Sequence, residues 1–260
     1  MQKTDQKAVL VMGILNVTPD SFYEGSRVTD EASVGARVEQ ILREGGDIID
    51  VGACSTRPGA DIVDEEEEMR RLDFALGVVR RTAPEAVVSV DTFREGVACR
   101  CVGDWGVNVI NDISGGNEEM YRAVARRKVG YVLTHNDPDG RSNTPGKAAL
   151  WLSDRLERLR ALGAEDVWLD PGFGFHKTLQ ENWALLRGLG EIAALGAPVL
   201  AGVSRKSMIW RLLDISPAEA LNATTATHVL ALQQGASVLR VHDVKAAVET
   251  VKIVNNFRNQ

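Results

Sequence analysis

The chain has 260 residues, 30 of them Lys or Arg and 36 Asp or Glu, for a formal charge of −6; 44% are hydrophobic and 25% charged. That balance excludes wholesale disorder and collagen-like repeats, and the acidic surplus argues against nucleic acid as a partner, for which a basic face is expected. Residues 1–7 are polar and the apolar run 8–15 falls far short of a bilayer span, so neither a signal peptide nor a membrane partner is expected. Three irregularly spaced cysteines, Cys54, Cys99 and Cys101, include no Cys-x-x-Cys pair. They argue against a disulfide framework or structural zinc and for a reducing, cytoplasmic location.

In chain order, eight short apolar runs read as strands: 9–15, 47–51, 86–91, 107–111, 130–135, 166–170, 198–203 and 237–241. Each is followed by an amphipathic stretch, such as Val34-Val38-Ile41-Leu42 or Leu152-Leu156-Leu159, with apolar residues at helical spacing. Gly45-Gly46, Gly163, Gly196 and Gly235 suit helix C-termini. The repeat of roughly 32 residues matches one βα unit. No Pro/Ser-rich linker divides the chain, so 1–260 reads as one domain. The Asp-, Gly-, Asn- and Pro-containing stretch 136–147 reads as a loop within the alternation. Eight βα units imply a parallel sheet closed as a (β/α)8 TIM barrel in the α/β class. The alternative, an open doubly wound sheet, lacks its usual G-x-G-x-x-G after the first strand, which ends Gly13-Ile14-Leu15-Asn16.

Nearly every predicted strand ends in a polar or ionisable residue. The ends carry Asn16, then Ser55-Thr56-Arg57, Asp91, Asn111-Asp112, His135, Asp170, Ser204-Arg205-Lys206 and Arg240-Val241-His242-Asp243. In a barrel these converge on the face where active sites are built. Asp91, Asn111, Asp170 and Lys206 offer donors and acceptors for a flat heterocycle; a carboxylate can accept two parallel N–H bonds from an amino-pyrimidinone edge. Asn16, Ser55, Thr56, Arg57, Arg240 and His242 form a donor-rich set suited to a phosphate or pyrophosphate. Asn16 also offers an oxygen to a hard cation such as Mg²⁺.

Seven strings then resemble, in order, the signatures of the dihydropteroate synthases. They run from Met12-Gly13-Ile14-Leu15-Asn16-Val17-Thr18-Pro19-Asp20-Ser21-Phe22 and Asp50-Val51-Gly52 with Ser55-Thr56-Arg57-Pro58-Gly59-Ala60, through Ser89-Val90-Asp91-Thr92 and Ile110-Asn111-Asp112-Ile113-Ser114-Gly115-Gly116, to Leu169-Asp170-Pro171-Gly172-Phe173-Gly174-Phe175, Gly202-Val203-Ser204-Arg205-Lys206-Ser207 and Leu239-Arg240-Val241-His242-Asp243. That family of transferases, a sulfonamide target, joins (6-hydroxymethyl-7,8-dihydropterin) diphosphate to 4-aminobenzoate for folate synthesis, releasing pyrophosphate. The resemblance implies small-molecule substrates, Mg²⁺ and a homodimer. It also implies roles: Asp91, Asn111, Asp170 and Lys206 on the pterin; Asn16 on metal and diphosphate; Thr56, Arg240 and His242 on the anion. Thr56, Pro58, Phe175, Ser204 and Lys206 would border the aminobenzoate pocket, with Phe22 and Arg57 on closing loops. Asp91, Asp170, Lys206 and Arg240 are the catalytic candidates.

The chain departs from the family pattern at Tyr23-Glu24-Gly25-Ser26, at Cys54 in place of a common Glu or Gln, at Thr134 and Asn136 flanking His135, and at His176, where a Gly is frequent. Two other functions fit less well: a methyl-tetrahydrofolate-dependent methyltransferase on the same barrel, which needs neither the Ser55–Pro58 loop nor the Arg240/His242 pair, and a catalytically silent pterin-binding paralogue. Glu65–Glu68 reads as a solvated helix start. Cys99 and Cys101 should face different sides of a helix, the five tryptophans read as packing residues, and Arg205 reads equally as an ion-pair partner or a substrate contact.

Overall fold

The computed structural model describes residues 9–17, 30–54 and 63–259. Eight strands alternate with helices: β1 (Leu10–Asn16), α1 (Glu31–Arg43), β2 (Ile48–Gly52), α2 (Glu65–Thr82), β3 (Val87–Asp91), α3 (Glu95–Trp105), β4 (Val109–Asp112), α4 (Glu118–Arg127), β5 (Gly130–Thr134), α5 (Pro145–Ala161), β6 (Val167–Asp170), α6 (Leu179–Arg187), α7 (Leu189–Ala193), β7 (Leu200–Ala201), α8 (Ser207–Leu213), α9 (Leu221–Gln233), β8 (Val238–Val241) and α10 (Val244–Arg258). The strands run parallel in the order β6-β5-β4-β3-β2-β1-β8-β7. The ends of that sheet meet at one bridge, Leu169 with Val199, backed by the Leu169 amide donating to the Pro198 carbonyl at 2.8 Å. The expected TIM barrel is therefore present.

Local sequence explains the elements. The Asp30 carboxylate accepts from the Ser33 amide at 2.9 Å and caps α1, whose Val34, Val38 and Ile41 are buried on one face. Gly45, Gly163, Gly196 and Gly235 take positive φ where helices end. The strands match expectation to within a residue or two, except the seventh. There 198–203 contracts to Leu200–Ala201: the Val199 amide donates to Ser237 Oγ, its carbonyl accepts from the Ser237 and Val238 amides, and Pro198 has no N–H to extend a ladder.

Strand alternation sorts side chains into two layers. One face builds the outer core with the helices, from residues such as Val11, Ile49, Val90, Ile110, Leu133, Leu169 and Leu239. The other fills the barrel: Met12, Ile48, Val109, Val132, Trp168, Leu200 and Val238 make a separate apolar plug at the N-terminal end of the strands. Two residues further along, the same inward positions become Asp50, Asn111, Thr134, Asp170 and Arg240.

One expected surface feature lies inside. Glu68 is fully buried rather than solvated, because Arg94 from the loop after β3 reaches under α2 to pair with it and also donates to the Val63 carbonyl. The remaining expectations for bland features match: Cys101 is buried while Cys99 is half-buried, and Trp105, Trp168 and Trp183 direct their indole N–H to Asp73, Asp166 and the Met208 carbonyl.

The loop after β6 is held in an unusual backbone path. Gly172, Gly174 and His176 all have positive φ, at 69°, 86° and 46°. At Gly172 a methyl group would sit 2.0 Å from the His135 carbonyl oxygen, so only glycine fits. Lys177 donates to the carbonyls of His135, Gly172 and Phe175 at 3.1, 2.9 and 3.1 Å. Asn182 accepts from the Gly174 amide at 2.7 Å, and Asn143 donates to the His176 carbonyl at 2.8 Å.

These contacts set two expectations for stability. Glu68→Ala leaves the Arg94 guanidinium without its buried partner and should lower unfolding free energy by about 3–5 kcal/mol in urea titrations, while Glu66→Ala on the exposed side of the same turn should not move the midpoint. His176 is exposed, so its substitutions report mainly on the backbone. His176→Val should be less stable than His176→Gly by about 1–2 kcal/mol, because a β-branched side chain is strongly disfavoured at positive φ.

Candidate active site

The C-terminal ends of the strands bring the expected residues to one mouth. Arg240 on β8 is the central cation. Its Nε donates to Asp50 Oδ2 at 2.6 Å and its Nη2 to Asp91 Oδ2 at 2.8 Å. Asn111 Nδ2 donates to the same Asp50 oxygen at 3.2 Å. Asn16 and Asp91 flank Gly52: a methyl group there would lie 3.0 Å from Asn16 Oδ1 and 4.0 Å from Asp91 Oδ2. Asp170 and Lys206 flank Gly202 in the same way, at 3.8 Å from Oδ2 and 3.9 Å from Nζ. The two small residues leave room for polar side chains to lean over the barrel axis.

Lys206 donates to the Phe173 carbonyl, and its ammonium lies 4.9 Å from the centre of the Phe175 ring. Burial lowers its pKa to about 8, even though the Asp170 carboxylate favours the charged form. Asp170 accepts from the Gly172 amide at 2.7 Å; burial raises its pKa while Lys206 and that amide oppose the rise. Burial likewise raises Asp91, with Arg240 opposing and the Asp50 charge adding to the rise. Among the described residues, Asp50, Asp91 and Asp170 thus share the mouth with Arg240 and Lys206, with Lys177 close enough to act on Asp170.

The rim beside β7 and β8 is different. The His242 amide donates to Ser204 Oγ at 3.2 Å, and the same hydroxyl lies 3.0 Å from His242 Nδ1. Burial, reinforced by Arg240, Arg205 and Arg37, lowers the His242 pKa to about 3 and keeps the ring neutral. Arg37 on α1 donates to the His242 and Ile14 carbonyls, tying the ends of β8 and β1 together. Arg205 has a positive φ of 51° and grips Asp243 with two bonds of 2.8 and 3.0 Å, besides the Pro217 and Ala218 carbonyls. Those bonds hold the turn that presents Ser204 and Lys206, so Arg205 is an ion-pair partner.

The structure therefore gathers Asn16, Asp91, Asn111, Asp170, Phe175, Ser204, Lys206, Arg240 and His242. Phe22, Thr56, Arg57 and Pro58 lie outside the described residues, as does Tyr23. Arg240, grouped from sequence with the anion-binding set, has its charge directed at Asp50 and Asp91. Asp112 faces away from the mouth, where it accepts from Tyr131 at 2.8 Å and from Ser114. Thr134 is buried beside Asp170 in the β5–β6 register, and Asn136 donates to the Ile113 carbonyl at 2.9 Å. Cys54 is half-buried, with its thiol pKa raised by burial and by the Glu68 charge, as befits a packed cysteine.

Two residues of the site, Asp50 and Lys177, escape the reading from strand ends. Asp50 does leave a signal: it is a carboxylate in the middle of an apolar strand, Ile48-Ile49-Asp50-Val51-Gly52, and it faces inward. Lys177 carries no such signal, since its importance comes from carbonyl groups.

Asn16 is the donor available to a metal. Among the described residues no group of three or more His, Cys, Asp or Glu could hold an ion. One amide oxygen on a half-buried strand end fits a hard cation that keeps water and substrate phosphates as its other ligands, and does not fit a protein-built cage.

Comparison with known proteins agrees with this geometry. A family model described as pterin binding enzyme matches residues 12–242. The dihydropteroate synthase of Bacillus subtilis (strain 168) is 38% identical over 264 residues, covering 98% of this chain and 90% of that protein. That of Escherichia coli (strain K12) is 38% identical over 257 residues, covering 94% and 90%. Among solved structures, the Yersinia pestis dihydropteroate synthase with a sulfonamide drug complex superimposes with a TM-score of 0.87 at 36% identity, covering 97% of this chain and 95% of that one. The Thermus thermophilus enzyme in complex with 6HMPPP gives 0.84 at 36% identity, covering 96% and 94%. By these matches along nearly its whole length, the chain belongs to the pterin binding enzyme family, among the dihydropteroate synthases.

Proposed function

We propose that the chain condenses (6-hydroxymethyl-7,8-dihydropterin) diphosphate with 4-aminobenzoate, releasing pyrophosphate. The observation that carries this reading is the convergence of Asp91 on β3, Asn111 on β4, Asp170 on β6 and Lys206 in the turn after β7 on one buried mouth. Asp170 and Asp91 accept N–H bonds from the pterin edge, Asn111 adds an amide, and Lys206 donates to a ring carbonyl. Phe175, beneath the Lys206 ammonium, offers a flat face to the aromatic amine, with Ser204 at the same border.

The amine is neutral at pH 7 and needs no strong base. The difficult step is breaking the carbon–oxygen bond to the diphosphate. Negative charge then grows on the leaving group and positive charge on the pterin methylene. Asp91 and Asp170, in their ionised form, stabilise the second. Donors at the rim, His242 and Ser204 among them, serve the first. Mg²⁺, when held by Asn16 and the diphosphate, supplies further charge neutralisation for the leaving group.

A homodimer and a cytoplasmic location complete the proposal. The dimer is supported by apolar side chains left exposed along α9 and α10, namely Leu221, Leu230, Ile253 and Phe257. The location is supported by Cys54, Cys99 and Cys101 all being free thiols. Among the described residues, no helix is long and apolar enough to cross a membrane.

Pyrophosphate release on mixing the chain with both substrates tests the activity; pterin binding without release would favour the silent paralogue. Asp170→Ala should raise KM for the pterin diphosphate roughly 100-fold or more, as expected for losing two hydrogen bonds to a charged acceptor. The ammonium of Lys206 is the required donor and is fully present only below its pKa of about 8. Catalytic efficiency for the pterin substrate should therefore fall as pH rises through about 8. In Lys206→Arg that alkaline limb should disappear, because a guanidinium stays protonated across the accessible range.

A further inference from the structure

Asp50 is the carboxylate of the mouth to which the proposed function assigns no contact with substrate. It is 0% exposed, in the middle of β2, and its register partner on β3 is Ser89, one inward position deeper than the Gly52–Asp91 pair. Burying a carboxylate there is costly unless it is paired, and an apolar residue would fill the position with no such penalty. Its contacts are specific. Oδ2 accepts both Arg240 Nε at 2.6 Å and Asn111 Nδ2 at 3.2 Å. Asn111 thereby commits its N–H₂ to Asp50. The Asn111 amide oxygen, Oδ1, is buried with no partner among the described residues and is open to a ligand; Asp50 Oδ1 beside it is likewise unpartnered.

We infer that Asp50 is a positioning residue for the pterin end of the site, turning the Asn111 amide so that its oxygen faces the substrate and fixing the Arg240 guanidinium between itself and Asp91. The inference rests on the proposed function for the identity of the substrate. Without the Asp50 carboxylate, Asn111 has no acceptor for its N–H₂ group and can present either end of the amide to the ring. Arg240, bonded by Nη2 to Asp91 Oδ2 at 2.8 Å, is then free to turn about that one bond. Both losses fall on the pterin diphosphate and neither on the aminobenzoate pocket, where Phe175 and Lys206 keep their own anchors at Lys177 and the Phe173 carbonyl.

The test is steady-state pyrophosphate release by the full chain carrying Asp50→Asn, which is isosteric, and Asp50→Ala. KM for the pterin diphosphate should rise at least about tenfold, the loss of one hydrogen bond to a charged group. KM for 4-aminobenzoate should stay within about twofold, and Asp50→Asn should melt as a folded protein. In an Arg240→Ala background, Asp50→Asn should add much less than it does alone, because the two act as a unit. Unchanged KM values in both variants, an equal rise for both substrates, or full additivity with Arg240→Ala would each overturn the inference. Calorimetric titration with pteroic acid separates this from the activity itself. If the unmodified chain binds pteroic acid but releases no pyrophosphate, the proposed function fails. The Asp50→Asn loss of pteroic acid affinity then still decides the role of Asp50.

Discussion

A single guanidinium lets several carboxylates occupy the interior of one barrel. Arg240 reaches from β8 across β1 to Asp50 on β2 and Asp91 on β3, so its two edges span the side of the mouth opposite Lys206 and Asp170. Isolated carboxylates at those depths would take up protons. Arg240 and Lys206 offset part of that cost and not all of it: burial still raises Asp91 to about 7 and raises Asp170.

The other constraint is backbone. The β6 loop threads three residues through positive φ and is held there by side chains from its own helix and from the loop before α5. The strain is offset by bonds that place three things at once: the Gly172 amide on Asp170, the Phe173 carbonyl under Lys206, and the Phe175 ring beside it. A family preference for glycine at the position of His176 has its physical reason here, since the residue must adopt a left-handed conformation.

Much of this was legible from the chain itself. Eight apolar runs at even spacing gave the barrel, because a parallel strand buried on both faces reads as a continuous hydrophobic stretch. The polar residue at each strand end gave the site, because barrel geometry collects those ends. What escaped did so for identifiable reasons. Glu68 looked solvated because its partner, Arg94, lies 26 residues away and approaches from beneath the helix. The seventh strand looked longer because apolar residues next to a proline resemble a strand whether or not the backbone pairs. The neutral state of His242 arises from burial among three arginines brought together only by folding.

The barrel is not equally strong around its circumference. Where β6 meets β7 the ladder shrinks to the contact between Leu169 and Val199, and Asp170 and Lys206 stand on opposite banks of that seam. A ring bound to both acts as a staple across the weakest joint of the wall. A ligand held from both banks adds a link where the backbone supplies the fewest, and stabilises the folded barrel by mass action.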